Sequence, residues 1–239
     1  MIRTNYVRTI RAVRGFADML GLLRALEMRS SASRTATWAR SLFAIYDIDD
    51  MIAIDLPWWT LGAVEEADQF LRSRPGARVF EYGSGASSVW LARRAGSLTT
   101  IEHDPEWHAK VAVKLLLFKN AEARLIEADP VSSTVAGYVS SKRGWKGRSF
   151  RNYAEAINTE EGMFDMIVID GRARPACLRH AERKLRNGGI IVFDNSHRRA
   201  YCEAIRASDL HALRIRGIAA CLPYPDETTL LMHRLQNAS

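Results

Sequence analysis

At 239 residues, 47% of them hydrophobic and 26% charged, the chain has the composition of a soluble globular protein with room for one well-buried α/β domain and an extension. No apolar run approaches the about 20 residues needed to span a bilayer, and three scattered cysteines, Cys177, Cys202 and Cys221, form no CxxC pair. That excludes a disulfide framework or cysteine-zinc site and points to a reducing, cytoplasmic compartment, while the net charge of +7 leaves an acidic partner open.

The charge gathers at the front. Arg3, Arg8, Arg11, Arg14, Arg24, Arg29, Arg34 and Arg40 face only Asp18 and Glu27 before Tyr46. Residues 5–28 set Val7, Ile10, Val13, Ala17, Leu20 and Leu23 at spacings of three and four, the pattern of one amphipathic helix with a basic side. Arg14, Asp18 and Arg24 interrupt its apolar part, which argues against a signal peptide, although the Arg-rich, acid-poor start has something of a transit peptide. The basic side reads as a solvated face, with nucleic acid and anionic lipid as the functional alternatives. The helix itself reads as an extension packed on the core or on a second subunit of a homodimer, with peripheral membrane contact the minor alternative.

Arg29 to Thr37, rich in Ser, Thr and Arg, reads as a linker, and Trp38 to Tyr46 as helical. Pro57 then breaks regularity before Trp58 and Trp59, which serve either as a wall over a ligand or as core anchors. A helix from Leu61 to Arg72 leads through Pro75-Gly76 into the first strand, Ala77 to Tyr82. That strand runs into the turn Glu81-Tyr82-Gly83-Ser84-Gly85. A helix opened by Ser87 or Ser88 and a strand from Leu98 to Ile101 follow, closed by Glu102-His103-Asp104. Strand, Gly turn, helix, strand and acid is the layout of a nucleotide-binding βαβ half, in which the late carboxylate grips a ribose diol.

The ligand's charge can be read from the same stretch. Ser88 stands where a dinucleotide fingerprint has its third glycine, and Glu81 would be a poor neighbour for a pyrophosphate. An acid followed by a GxG turn resembles the first motif of the class I S-adenosylmethionine-dependent methyltransferases, whose sulfonium ligand carries no phosphate. The resemblance covers about Ala77 to Leu235. It implies a Rossmann-like α/β fold with a seven-stranded mixed sheet, helices on both faces and an antiparallel final strand pair.

The later elements fit that outline. Pro105 starts a helix reaching Asn120, and Ala123 to Ala128 is a third strand closed by Asp129-Pro130. From Val131 to Gly162 the pattern lapses, and basic residues (Lys142, Arg143, Lys146, Arg148, Arg151) alternate with Tyr138, Trp145, Phe150 and Tyr153. That insertion reads as substrate-recognising or as solvated, with a short helix from Tyr153 to Asn158. Phe164 to Ile169 is an apolar strand ending in Asp170-Gly171. A helix from Pro175 stops at Gly188-Gly189, and Gly189 to Phe193 is the next strand, ending in Asp194-Asn195. A helix from Arg198 to Ala207 precedes strands Leu210 to Ile218 and Thr228 to Leu235. The expected division is a helical extension over 1–60 and a methyltransferase domain over 61–239, with 131–162 its substrate-side insertion.

Glu81, Glu102, Asp129, Asp170 and Asp194 all fall at carboxyl ends of expected strands, where open α/β sheets bind ligands. The cofactor contacts read as Gly83, Ser84, Gly85 and Ser87 around methionine and ribose. Glu102 reads as the ribose anchor, His103 as an adenine neighbour, and Asp170 and Glu81 as the acids facing the cation; the resemblance implies an adenine contact for Asp129, which reads equally as a turn-capping acid before Pro130. Asp170, Asp194 and Asn195 make a hard-oxygen set suited to Mg²⁺ or another divalent ion, and the pattern is similar to the metal-dependent catechol-type O-methyltransferases. In that family the ion lowers the pKa of the acceptor oxygen; Arg172 after the Asp-Gly is a departure from it. Asp194 and Asn195 read equally as a helix cap. Asp170 takes a catalytic part, and His197 reads either as the general base where no ion is used or as a lone surface histidine.

The expected activity is S-adenosylmethionine-dependent O-methylation of a small-molecule or glycan-like acceptor. Methylation of nucleic acid, or ligand binding without turnover on the same fold, are the alternatives. The segment marking base-amino methylation, Asp/Asn-Pro-Pro-Tyr/Phe, is missing from the sequence.

Overall fold

The computed structural model describes residues 13–30, 33–44, 47–140, 142 and 144–234. Its centre is a seven-stranded sheet: β1 (Arg78–Tyr82), β2 (Ser97–Glu102), β3 (Ala121–Leu125), β4 (Phe164–Ile169), β5 (Leu185–Phe193), β6 (His211–Ile218) and β7 (Pro225–Met232). The order is β3-β2-β1-β4-β5-β7-β6. The first five strands are parallel, and β7 runs antiparallel between β5 and β6. The chain turns back at β1/β4, where parallel sheets leave a crevice outside the strand ends.

The central strands read as unbroken apolar runs because they are buried on both faces. Val79, Met166, Val168, Ile190 and Val192 point to one core, and Phe80, Tyr82, Ile167, Ile169, Ile191 and Phe193 to the other. The first face is served by α2 (Arg34–Ser41), α3 (Ile48–Ala53) and α4 (Leu61–Arg72), together with α5 (Ala86–Ala92) and α6 (Pro105–Leu115) further on, while α1 (Leu22–Ser30) packs on α2. The second is covered by α7 (Arg151–Glu155), α8 (Arg174–Ala181) and α9 (Arg199–Arg206).

Several expected elements move. The single helix over 5–28 breaks at Gly21, which takes φ 70°, so that residues 13–19 and α1 are separate helices; residues 1–12 lie outside the described part. The linker expected over Arg29 to Thr37 is largely helical in its described residues. Ser33 caps α2 through the Ala36 amide, and the Thr37 hydroxyl reaches back to the Ser30 carbonyl. Gly188-Gly189 does not stop a helix. α8 ends at Ala181, and the two glycines sit in a bulge of β5, with Phe164 opposite Leu185 but Met166 opposite Ile190. β3 begins two residues earlier than expected and ends at Leu125, because it pairs with β2 from Leu98↔Ala121 to Glu102↔Leu125.

The N-terminal helices are tied to the far edge of the sheet. Trp38 Nε1 donates to the Leu222 carbonyl at 2.8 Å, the Cys221 amide to the Ser41 hydroxyl at 2.9 Å, and Thr60 bridges Ala219. The basic front is also less free than its composition suggests. Arg40 is buried and forks onto the buried Asp50 at 2.6 and 3.0 Å, Arg14 bridges Asp47 and Asp50, and Arg34 pairs with Glu65. Phe16, Met19 and Leu20 remain exposed. No helix among the described residues is long and apolar enough to cross a membrane.

Trp59 settles the paired-tryptophan question for its own ring, which is fully buried edge-on to Trp90 with centroids 5.8 Å apart. It anchors the core and does not wall a ligand. Trp59→Ala is expected to lower the unfolding free energy by about 3–5 kcal/mol, read by urea denaturation; a loss under about 1 kcal/mol would contradict that anchoring.

Candidate active site

At the switch point the backbones of two turns touch. The Asp170 amide donates to the Tyr82 carbonyl at 2.9 Å, and the Gly83 amide to the Ile101 carbonyl at 2.9 Å. Gly83 takes φ 95°, and a Cβ there would lie 2.7 Å from Gly171 Cα, so this glycine serves the approach of the two loops. Gly85 is different. Its backbone is extended and a Cβ would meet nothing nearer than 3.8 Å, which leaves a cradle open to a ligand.

Glu81 organises the turn from beneath. It is fully buried and accepts from the hydroxyls of Ser87 at 2.5 Å, Thr100 at 2.7 Å and Ser88. Burial pushes its carboxyl up to about 7, against the pull of those three hydroxyls. The expected contact of Glu81 and the Ser87 hydroxyl with the cofactor is therefore corrected: these groups face each other under the Gly turn.

Glu102 stands at the end of β2 as expected, but buried. Its carboxylate accepts from the amides of Ser84, His103 and Asp104 at 3.1, 2.7 and 3.0 Å and from the Ser84 hydroxyl at 3.4 Å, and His103 Nδ1 lies 2.5 Å away without hydrogen-bond alignment. Burial alone would raise it, yet His103 and these amides outweigh burial and hold it below the usual carboxylate range. Arg172 Nε donates to His103 Nε2 at 2.9 Å, and the rings of Trp145, Phe150 and Tyr153 surround the imidazole. Burial pushes the Arg172 guanidinium below its usual value. The Tyr153 hydroxyl, buried against Gly171, has no hydrogen-bond partner, and such a group costs about 1–3 kcal/mol unless something meets it.

Of the two readings of Asp129 the structure shows a capping one. It accepts from the Ser149 hydroxyl at 2.6 Å and from the amides of Arg151 and Asn152 at 2.6 and 3.1 Å, so its carboxylate caps α7. The insertion behind it is solvated only in part: the described residues of 131–147 are mostly exposed, whereas Phe150, Tyr153, Ala154 and Ile157 are core residues. An open groove of about 610 Å³ beside it, lined by Pro130, Thr134 and Asn152 among others, is separate from Gly83–Gly85.

Asp170 and Asp194 end neighbouring strands, as expected, but Arg174 lies between them. Its Nη2 donates to Asp170 Oδ1 at 2.6 Å and to the Asp170 carbonyl at 2.7 Å, its Nη1 meets the Asp194 carbonyl, and Asp194 Oδ2 lies 3.8 Å away. Asn195 is turned aside, its amide donating to Asp226 and its oxygen accepting from Arg198. The set Asp170, Asp194 and Asn195 thus does not fit a divalent ion, because a guanidinium already fills the gap and the amide oxygen is spent. Among the described residues no group of three His, Cys, Asp or Glu side chains is placed to hold a metal. Burial, then the neighbouring Asp170, pushes the Asp194 carboxyl up to about 8, and burial also raises Asp170 against the pull of Arg174. Of the five strand-end acids only Asp170 has a reachable carboxylate, 24% exposed, against 4% or less for Glu81, Glu102, Asp129 and Asp194. The surface offered to a ligand is Gly83, Gly85 and Asp170. It fits a cationic molecule lying along the Gly turn.

His197, expected as a base, has a partner that sequence patterning hides. Its Nδ1 lies 2.8 Å from Asp226 Oδ1, with the imidazole half exposed and the carboxylate buried. Asp226 is held by the Asn195 amide at 2.9 Å and the Glu227 amide at 2.7 Å. Asp226 looks like turn chemistry in Leu222-Pro223-Tyr224-Pro225-Asp226, and only the return of β7 beside β5 brings it here. Arg174 left one readable sign: an arginine in the first turn of a helix opposes the macrodipole.

Residues 80–196, from within β1 to the turn after β5, match a family described as "Methyltransferase domain". No curated protein matches the chain. Among solved structures the fold is similar to cofactor-bound Rv0187 from MTB, with 22% identity, a TM-score of 0.53, and 80% of this chain and 89% of that one covered. It is also similar to an rRNA methylase from Streptococcus thermophilus, with 11% identity, a TM-score of 0.50, and coverage of 72% and 96%. At these identities the likeness is one of fold.

The raised carboxyls carry a stability consequence. Folded Glu81 and Asp194 hold protons more tightly than the unfolded chain does. Their stabilisation is complete below the unfolded carboxylate range, near pH 4, and is lost as pH rises through about 7 and about 8. Unfolding free energy measured at stepped pH is expected to fall between those limits, and Glu81→Gln to flatten the part between about 4 and about 7. An unchanged slope in that variant would remove Glu81 as the source.

Proposed function

We propose, for a chain that carries a class I S-adenosylmethionine-dependent methyltransferase domain, O-methylation of a hydroxyl on a small-molecule or glycan-like acceptor, with His197 as general base. The observation that carries this reading is the His197–Asp226 pair at 2.8 Å. With the buried Asp226 carboxylate beside Nδ1, the tautomer protonated on that nitrogen is favoured, and it leaves the Nε2 lone pair free to take a proton. When bound, S-adenosylmethionine supplies an electrophilic methyl group on a sulfonium. His197 takes the acceptor's hydroxyl proton as the oxygen attacks that methyl, and the electrons of the broken C–S bond stay on sulfur. Asp226 stabilises the resulting imidazolium, whose exposed edge returns the proton to water.

Holding the cofactor falls to few side chains. Gly83 and Gly85 would take its methionine end along the turn, and Asp170, the one reachable acid, would face its ammonium or sulfonium. Glu102 would grip the ribose by exchanging its longest contact, the Ser84 hydroxyl at 3.4 Å, for a sugar hydroxyl. Trp145 and His103 would border the adenine, and no step is assigned to a divalent ion. We read residues 1–60 as an extension, of which Trp38, Ser41 and Thr60 buttress the β6–β7 edge, and residues 131–162 as the substrate-side insertion of the domain over 61–239. The three cysteines, all unpaired in the structure, accord with a reducing cytoplasmic setting. A nucleic-acid acceptor draws less support, because Phe150 and Tyr153, two of the aromatics that would stack on bases, are buried in the core.

The test is methyl transfer from labelled S-adenosylmethionine to a panel of phenols, alcohols and sugars, with the product bond assigned by mass spectrometry. His197→Ala and Asp226→Asn are expected to lower kcat by about 10²–10⁴-fold while leaving S-adenosylhomocysteine affinity intact. Glu102→Ala is expected to weaken that affinity at least about tenfold, a loss of roughly 1.4 kcal/mol. Label on nitrogen or on RNA, or full activity in His197→Ala, would overturn the assignment.

A further inference from the structure

We propose that Arg174 is the built-in cation of this site: its guanidinium stands between the carboxyl ends of β4 and β5 where a divalent ion would need to sit, and positions Asp170 for the ligand without one. The carboxylates of Asp170 and Asp194 follow directly paired residues, Ile169 and Phe193, so two like charges emerge side by side with little water to screen them. Something positive must stand between them or a proton must be retained.

Local sequence gives no reason for an arginine here. Arg174 is the first residue of α8, its cap Ala173 is in the left-handed conformation at φ 45° with no side-chain cap bond, and the first turn holds no acid. A cation at that end opposes the helix dipole. The tertiary setting repays it. The side chain is buried, and its fork donates to the carbonyls of Asp170, Gly171 and Asp194 as well as to Asp170 Oδ1. Four acceptors for five N–H donors, three of them main-chain carbonyls at the strand ends, is a geometry a planar guanidinium meets and a hydrated ion does not. A Mg²⁺ ion needs oxygens at about 2.0–2.1 Å in an octahedron, and the third oxygen expected for it, that of Asn195, accepts from Arg198 at 2.9 Å.

The proposal does not depend on His197 or on the acceptor. Full-length protein treated with EDTA is titrated with Mn²⁺ by electron paramagnetic resonance, and S-adenosylhomocysteine affinity is measured by calorimetry with and without Mg²⁺. The wild type is expected to show no one-to-one Mn²⁺ site tighter than about 0.1 mM, and an affinity that Mg²⁺ moves by less than about twofold. Arg174→Met, which empties the gap, is expected to lose at least about tenfold in that affinity and to gain Mn²⁺ binding that restores part of it. Should that variant fail to fold, Arg174→Lys keeps the charge without the fork and is expected to lose about fivefold with no Mn²⁺ gain. A wild-type Mn²⁺ site abolished by Asp194→Asn overturns the proposal, as does unchanged affinity in a folded Arg174 variant while Asp170→Asn weakens it. Unchanged affinity in Asp170→Asn as well would instead count against Asp170 as a cofactor contact, and the Mn²⁺ titration would still decide the role of Arg174.

Discussion

Five carboxylates arrive at one edge of a parallel sheet, and most of what is distinctive about this site follows from keeping them from repelling one another. Each is neutralised by different means. Glu81 is surrounded by three hydroxyls, Glu102 by three amides and an imidazole, and Asp129 by a hydroxyl and the start of α7. Asp170 and Asp194 share a guanidinium. A buried carboxylate without such partners would be too costly to fold around.

That division of labour separates support from contact. Four of the five acids have their oxygens committed within the chain, and they shape the Gly turn, the β2 end, the insertion and the β5 end. Asp170 alone is both partnered and reachable. A site built this way presents a rigid backbone cradle with one negative charge at its mouth, which suits a ligand that is cationic over a short stretch. His197 stands on the turn that follows β5, against the buried Asp226 near the start of β7. In the proposed reaction, proton removal and cofactor binding fall on different carboxylates.

The insertion and the N-terminal helices, the two parts with the weakest patterning, are both drawn into the core. Phe150, Tyr153 and Ile157 complete the apolar layer over Tyr82 and Ile169, and Met51, Leu56 and Trp59 complete the opposite one. Both contribute to the setting of the site: Tyr153 and Trp145 close over His103, and the Thr60–Ala219 bridge steadies the outer β6–β7 edge. The basic-aromatic alternation of the insertion is thus in part a core pattern seen without its third dimension.

The sequence by itself determined the seven strands, their α/β alternation and the ring of strand-end acids, because runs such as Phe164–Ile169 and turns such as Gly83-Ser84-Gly85 are dictated by burial on both faces and by local backbone freedom. It also singled out Asp170, Glu102 and His197. It could not tell which acids were free, since that depends on partners distant in the chain: Thr100 for Glu81, Ser149 for Asp129, Asp226 for His197. Arg174 is near Asp170 in sequence but acts through Asp194 on another strand. It was equally blind to the bulge at Gly188-Gly189, where a helix stop and a strand irregularity ask for the same residue. Only the tertiary structure decided those points, because a side chain's charge state and reach are set by whatever the fold brings alongside it.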